Sequence, residues 1–380
     1  MISYLIGLSL NMQIMILIFL VLFFFVIITF IFINQAKFGK HPSGKRLEII
    51  KRAENYKNGE FQNQSITPDL TDGATYFSIL KEFLFGPKNN LEPQGMLPSQ
   101  KTDLINLERS VDVLVWFGHS SYFMQIDGKR ILVDPVLSGS ASPISFTTKS
   151  FHGTDIYTTE DIPEIDYLII THDHWDHLDY ETITKLRPKI KKVITGLGTG
   201  AHLEHWGYAE DLIIEKNWNE SLTLEEGFTL YTLPARHFAG RGFKRKQTLW
   251  MSFLLQTPSM KIYIGGDSGY DTHFSQIGNR FGEIDLAILE HGQYNKNWKH
   301  IHLMPDEITK ATADLKAKKL LAVHHSKFAL SNHAWNEPLR NVSNRIQSTG
   351  IRLVTPMIGE AFFLKSNDQE FNQWWEKNIE

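Results

Sequence analysis

The stretch THDHWDHLD, residues 171–179, places His172, His174, Asp176 and His177 within a few positions of one another. Imidazole nitrogen and carboxylate oxygen are the donors that suit zinc and similar first-row ions. His172 and His174, two apart in an extended segment, project to the same side, and a loop turning into a helix can bring Asp176 and His177 round to join them. A catalytic tetrahedral ion takes three protein ligands and keeps one position open, so four donors exceed one such site and the pattern suggests two ions. The competing reading is a polar helix start capped by Asp176 with solvated histidines. Against it, an H-x-H-x-D-H pattern arises by chance in only about one per thousand chains with this histidine content.

Two ions need further ligands, and the sequence offers them where apolar runs end. His237 follows TLYTLPAR, Asp267 follows KIYIGG and His324 follows LLAV. Singly, each has a bland reading: a surface loop histidine, a turn former after Gly-Gly, a core histidine. Jointly with the cluster, they read as ligands on loops at the ends of a rigid sheet. The glycines before Asp267 let the backbone turn tightly beneath the metals.

The elements that must position these residues begin at Val111. VDVLVWFG alternates, YFMQIDGKRILVDP reads as two strands about an Asp-Gly turn, and YLIITH is a buried strand ending where the histidines begin. Further strands are expected at FTLYTLPA, SFLLQT, KIYIGGD, IDLAILEHG, LLAVHH and EAFFLK. Helical patterns fall at YETITKLR, MPDEITKATADLKAK and NEPLRNVSNRIQS. Strands dominate and helices are separate insertions, which fits two packed sheets flanked by helices better than a doubly wound parallel sheet.

Composition closes several other routes. The chain has 380 residues, 42% of them hydrophobic, no cysteine and a net charge of -3. Thiol catalysis and disulfides are excluded, and a dedicated nucleic-acid binder would show a basic excess. FGHSS is not a G-x-S-x-G elbow, and GGDSGY lacks the lysine of a phosphate-binding loop.

From Ile14 to Ile33 the chain is apolar apart from Thr29. At about 1.5 Å per residue such a run spans the roughly 30 Å hydrocarbon core as one transmembrane helix. A cleaved signal would want a basic start and a small-residue cleavage site, and neither is convincing. Lys37, Lys40, Lys45, Arg46, Lys51 and Arg52 follow the helix, which places the remainder of the chain on the cytoplasmic side of the cell membrane. These basic residues could also meet anionic headgroups. The expected organisation is an anchor over 1–36, a linker and lead-in over 37–110 with a short amphipathic helix at YFSILKEFLFGP, a catalytic domain over 111–366, and an aromatic tail over 367–380. FNQWWEKN in that tail either dips into the headgroup region or packs on the domain, the second being favoured.

The cluster followed by a later His, a strand-terminal Asp and a last His resembles the metallo-β-lactamase superfamily. VWFGHSSYFMQIDGKRILVDPVLSGSASP, PARHFAGRG, GGDSGY and HHSKFALSNHAWNEP resemble, more narrowly, the branch that contains N-acylphosphatidylethanolamine-hydrolysing phospholipase D. The likeness starts at FQN, covers about residues 60–365 and leaves out the apolar helix. It implies an αββα sandwich and two Zn²⁺ ions, one held by His172, His174 and His237, the other by Asp176, His177 and His324, with Asp267 bridging. His302 matches a histidine close to metals and substrate, with His300 a weaker candidate. His119 and Asp134 match recurrent positions expected to orient ligands, the alternative for Asp134 being a turn residue before Pro135. The implied activity is phospholipase D-type hydrolysis of a membrane phosphodiester, with Asp176, Asp267 and His302 catalytic; the alternative is the same centre acting on a lactone or another organic phosphate. A homodimer is left open. Trp175 and EHGQYNKNWKH depart from the family pattern, and both are expected near the substrate opening.

Overall fold

A computed structural model describes residues 9–376 other than Asp72 and Asn89; the first eight residues of the expected anchor segment and residues 377–380 of the tail lie outside it. The first described helix is α1 (Leu10–Ile33), which starts one turn before the apolar run predicts and buries none of its residues. It is long and apolar enough to cross a bilayer.

Two sheets follow. The first holds β3 (Val113–Trp116), β4 (Tyr122–Ile126), β5 (Lys129–Val133), β6 (Ile165–Ile170), β7 (Ile190–Gly196), β8 (Ile213–Lys216) and β16 (Ala361–Phe363), in the order β16-β3-β4-β5-β6-β7-β8. The second holds β9 (Ser221–Glu225), β10 (Phe228–Leu233), β11 (Ser252–Gln256), β12 (Lys261–Ile264), β13 (Ile284–Glu290), β14 (Ala317–Val323) and β15 (Arg352–Val354), in the order β15-β14-β13-β12-β11-β10-β9. Each sheet is antiparallel on one side and parallel on the other, the change falling at β5 and at β12. The turn between β4 and β5 is Asp127-Gly128, both at positive φ (46° and 79°), the backbone a tight hairpin demands.

The strands are apolar on both faces because both faces are covered. Leu114, Trp116, Met124, Ile131, Val133 and Ile169 point to the core between the sheets, while Val113, Val115, Phe123, Leu132, Leu168 and Ile170 point to the opposite side. That outer layer is filled by α4 (Tyr180–Leu186) and α5 (Gly200–His205), through Ile183, Leu186 and Leu203. On the second sheet α7 (Glu307–Asp314) and α8 (Glu337–Ile346) play the same part. The αββα layering expected from the strand-rich pattern is therefore present.

One segment differs from expectation, and the tail takes the packed arrangement favoured for it. Residues 37–110, read as a linker, are packed into the sandwich: Ile50, Phe61, Leu97 and Leu104 are buried at 0–1% exposure. Short β1 (Tyr56–Lys57) and β2 (Glu60–Phe61) seat Phe61 there. Outside the helix at YFSILKEFLF the apolar residues in this stretch are too sparse for a periodic signal, yet these four are fully packed. Of the tail, Trp374 and Trp375 are 1% and 2% exposed, and Trp374 Nε1 donates to the Thr355 carbonyl. They pack on the sandwich, so the described part of the tail offers no tryptophan to headgroups.

Candidate metal centre

The C-terminal ends of the parallel strands converge on one point. β6 delivers His172, His174, Asp176 and His177, β12 delivers Asp267, and β14 delivers His324, while β10 leads into His237. Gly266 makes the turn into Asp267 at φ +58°, where a Cβ would lie 2.9 Å from Thr171 Cβ. A side chain there would meet both a strained backbone and the strand carrying the histidines.

Donor atoms of His172, His174 and His237 lie within 4.8 Å of one another, as do those of His119, Asp176, His177 and His324. Asp267 stands between: its carboxylate is 3.2 Å from His177 Nε2, 3.2 Å from His324 Nε2, 3.7 Å from His237 Nε2 and 3.9 Å from His172 Nε2. Every predicted ligand is thus brought to one cluster. His177 Nε2 and Asp267 Oδ1 are buried and 3.2 Å apart, yet neither makes a hydrogen bond of good geometry. Buried polar atoms left unpaired and converging on one spot are what a set of ligands looks like without its ion, so the donors fit divalent metal.

The surrounding groups fix the rings. Asp134, 1% exposed, accepts from Thr171 N (2.8 Å) and Thr171 Oγ1 (2.6 Å) and meets His177 Nδ1 at 2.8 Å, so it sits where it can orient His177. His119 Nε2 meets Asp176 Oδ2 at 2.9 Å. His237 Nδ1 donates to the Ile301 carbonyl at 2.8 Å, which turns Nε2 toward the cluster. His119, Asp134 and His324 all have positive φ (51°, 41° and 70°), a conformation that costs energy in non-glycine residues and collects at functional sites.

The charge states follow from burial and neighbours. Burial, and then the neighbouring imidazoles, push His172 well below its ordinary value; burial does the same to His237. Burial opposes ionisation of Asp176 and Asp267, but His177 and the adjoining imidazoles hold both carboxylates well below the usual range. Burial also opposes charge on His177, and Asp267, Asp176 and Asp134 overcome it, so its proton is held well above the ordinary value.

His302 lies beside the cluster, its ring 5.1 Å from those of both His237 and His324, with Nδ1 3.2 Å from Glu290 Oε1. His300 is not among the residues that line the cavity; its carbonyl lies against Gly269, where a Cβ would sit 2.0 Å away. The cavity, about 300 Å³, is lined by His174, Asp176, His237, Asp267, His302 and His324 and by the apolar or aromatic Leu70, Tyr76, Ile79, Phe238, Trp298 and Leu330. Gln293 and Trp298, from the divergent stretch before His302, do line it. Trp175 does not; its ring lies 3.8 Å under the Arg241 guanidinium and edge-on to Phe38.

Four site residues carry no local sequence signal. Glu290, at the end of β13, accepts from Leu303 N (2.7 Å) and holds His302. Asp173, between the first two histidines, accepts from Gly240 N (2.6 Å) and Thr248 Oγ1 (2.8 Å) and pairs with His202 at 3.0 Å. Arg241 donates to the carbonyls of Asp173 and Leu178, spanning the histidine loop. Asn63, from FQN, exchanges bonds with the His237 backbone and accepts from Trp250 Nε1. Their partners belong to other segments, 12 residues away for Glu290 and 29 or more for the rest, which is why local spacing could not reveal them.

With this geometry in place, residues 129–325 match the beta-lactamase superfamily domain, a little over half of the chain. The chain belongs to the metallo-β-lactamase superfamily. It is 32% identical to an uncharacterised protein of Mycobacterium tuberculosis over 86% of this chain and 88% of that protein. It is also 31% identical to N-acyl-phosphatidylethanolamine-hydrolyzing phospholipase D 1 of Caenorhabditis elegans, over 55% of this chain and 62% of that one. The fold is shared with a metallo hydrolase of the archaeon Ignicoccus hospitalis, at TM-score 0.52 and 19% identity, over 67% of this chain and 98% of that chain. As a member of this superfamily the chain is a metal-dependent hydrolase with His and Asp donors grouped at its sheet ends.

Proposed function

We propose that this superfamily member is a membrane-anchored dinuclear zinc phosphodiesterase that cleaves N-acylphosphatidylethanolamine-like lipids to phosphatidic acid and N-acylethanolamine. The observation that carries the reading is Asp267, set between two groups of donors in a cavity that apolar side chains also line. His172, His174 and His237 would hold one ion, Asp176, His177 and His324 the other, with Asp267 reaching both. Two such ions, when bound, supply an acidified water at neutral pH and neutralise charge building on phosphoryl oxygens.

The chain's own residues do the rest. Asp134 and His119 hold His177 and Asp176 in orientation. Glu290 engages Nδ1 of His302, which leaves Nε2 to protonate the departing alcohol. Leu70, Tyr76 and Ile79 offer apolar contact to a substrate's chains, and the buried floor keeps bulk water from the reacting atoms. The helix α1 would keep this site at the cytoplasmic face of the cell membrane, where a tether raises its effective concentration toward lipid.

Metal analysis joined to turnover of a phospholipid panel tests the reading. About two ions per chain are expected, with a sharp fall in Asp267→Ala and release of N-acylethanolamine by the wild type. A metal-loaded protein that leaves every lipid diester intact but opens lactones would replace the substrate and keep the centre.

A further inference from the structure

The end of α1 is built into the histidine loop. Trp206 Nε1 donates to the Ala36 carbonyl (2.7 Å), Arg241 Nε and Nη2 donate to the Lys37 carbonyl (3.1 and 2.9 Å), and Lys37 Nζ donates to the Pro143 carbonyl (2.5 Å). The Phe38 ring meets Trp175, which lies under Arg241, and Arg241 in turn holds the two ends of the loop at Asp173 and Leu178. The point where the apolar helix leaves the domain and the point where the donors gather are therefore one packed unit.

Around that exit, large apolar side chains are left in water. The loop that follows Arg241 carries Phe243 at 85% exposure, followed directly by Lys244, Arg245 and Lys246. Lys246 and Arg245 reach Asp69 at 3.3 and 3.7 Å, while Lys244 forms no ion pair among the described residues. The loop tied to Lys37 through Pro143 carries Phe146 at 76%. The third projection is α3 (Tyr76–Phe85), which turns Tyr76 and Ile79 to the cavity and leaves Phe77, Leu80 and Phe85 at 77%, 53% and 81%. Arg245 lines the same cavity, so α3 and the basic loop share its mouth. Exposed apolar patches of this extent mark an interaction site.

We propose that this face, made of α3, the Phe146 loop and the Phe243–Lys246 loop, seats directly on the bilayer that α1 enters, with Lys244 and Arg245 on anionic headgroups and the cavity mouth opening onto lipid. The occupant is a bilayer rather than another protein for two reasons. The span-length helix emerges between two of the three projections, and an exposed aromatic followed by three basic residues is the chemistry of the headgroup region. The docking face stands on these side chains alone; its service to turnover rests on the phospholipid reading.

Because the chain has no cysteine, single cysteines can be labelled uniquely in the full-length protein. Phe243→Cys and Phe77→Cys, carrying a polarity-sensitive fluorophore, are compared with Lys318→Cys. Lys318 is exposed at the start of β14, the end of the strand opposite His324. The protein is reconstituted in phosphatidylcholine vesicles, with or without phosphatidylglycerol, containing spin-labelled lipid. Side chains seated about 5–10 Å into the interface should lose most of their emission to a shallow spin label, and the Lys318 probe none. Adding Lys244→Gln should reduce the gain that phosphatidylglycerol gives. Probes at 243 and 77 that behave like the one at 318 would overturn the proposal. So would probes shielded equally in lipid-free detergent as protein concentration rises, which would assign the face to a second copy. Neither readout depends on catalysis, so a protein that docks but does not cleave lipid would remove only the substrate reading.

Discussion

Asp134 and His302 carry the residue-scale expectations. Asp134→Asn keeps the shape but presents a neutral amide to His177, so the ring loses the carboxylate that fixes it. Metal affinity should fall about 10- to 100-fold, read by chelator competition, with little change in the fold. His302→Gln should lower kcat by about 10²- to 10⁴-fold while KM changes less, and should remove one limb of the pH–rate profile. At this scale the donors were legible because the chemistry of H-x-H-x-D-H is local, and because His237, Asp267 and His324 each close an apolar run that reads as a strand. Glu290, Asp173, Arg241 and Asn63 were not legible. Each acts through partners outside its own element, 12 residues away for Glu290 and 174 for Asn63, and nothing in spacing marks such a pairing. Trp175 was misplaced for the same reason: its neighbours on the chain are ligands, but its ring faces Arg241 and Phe38.

Among the elements, the strands that carry the site were the plainest, since two covered faces give unbroken apolar runs. β7 and β8 were missed because lysine and glutamate interrupt them, in IKKVITG and IIEK, and α6 (His273–Phe281) because HFSQIGNRF has few apolar positions. The segment before Val111 is the largest difference between pattern and structure, and it makes a thermodynamic prediction. Phe61 is fully buried, so Phe61→Ala should cost about 3–5 kcal/mol of stability in denaturant unfolding, the loss of a packed core ring. A free linker would tolerate the change. The same element holds Asn63 against His237, so the variant should also weaken metal binding at the site it never touches.

For the whole molecule, metal and fold should be linked. Ions that bind only the native state stabilise it, by about 2.7 kcal/mol at a hundredfold excess over Kd. Chelation should lower Tm, and added zinc should restore it. The linkage has a definite sign with pH. His177 holds its proton well above the ordinary value when no ion is present, so that proton must leave on loading and metal competes with it. The raised value also stabilises the metal-free protein below the unfolded-state pKa, a contribution lost as pH rises through the folded one. Both effects make the chelator-induced drop in Tm shrink from about pH 8 to about pH 6, which scanning fluorimetry would read. The strand order adds a constraint in time. β16 pairs with β3, although the whole of the second sheet lies between them in the chain. During synthesis α1 precedes both sheets, and the first sheet has an open edge at β3 while the second is being made. That edge, a ready template for stray pairing, stays uncovered until the ribosome has made Ala361–Phe363, so a stalled or clipped chain would be left unfinished and adhesive.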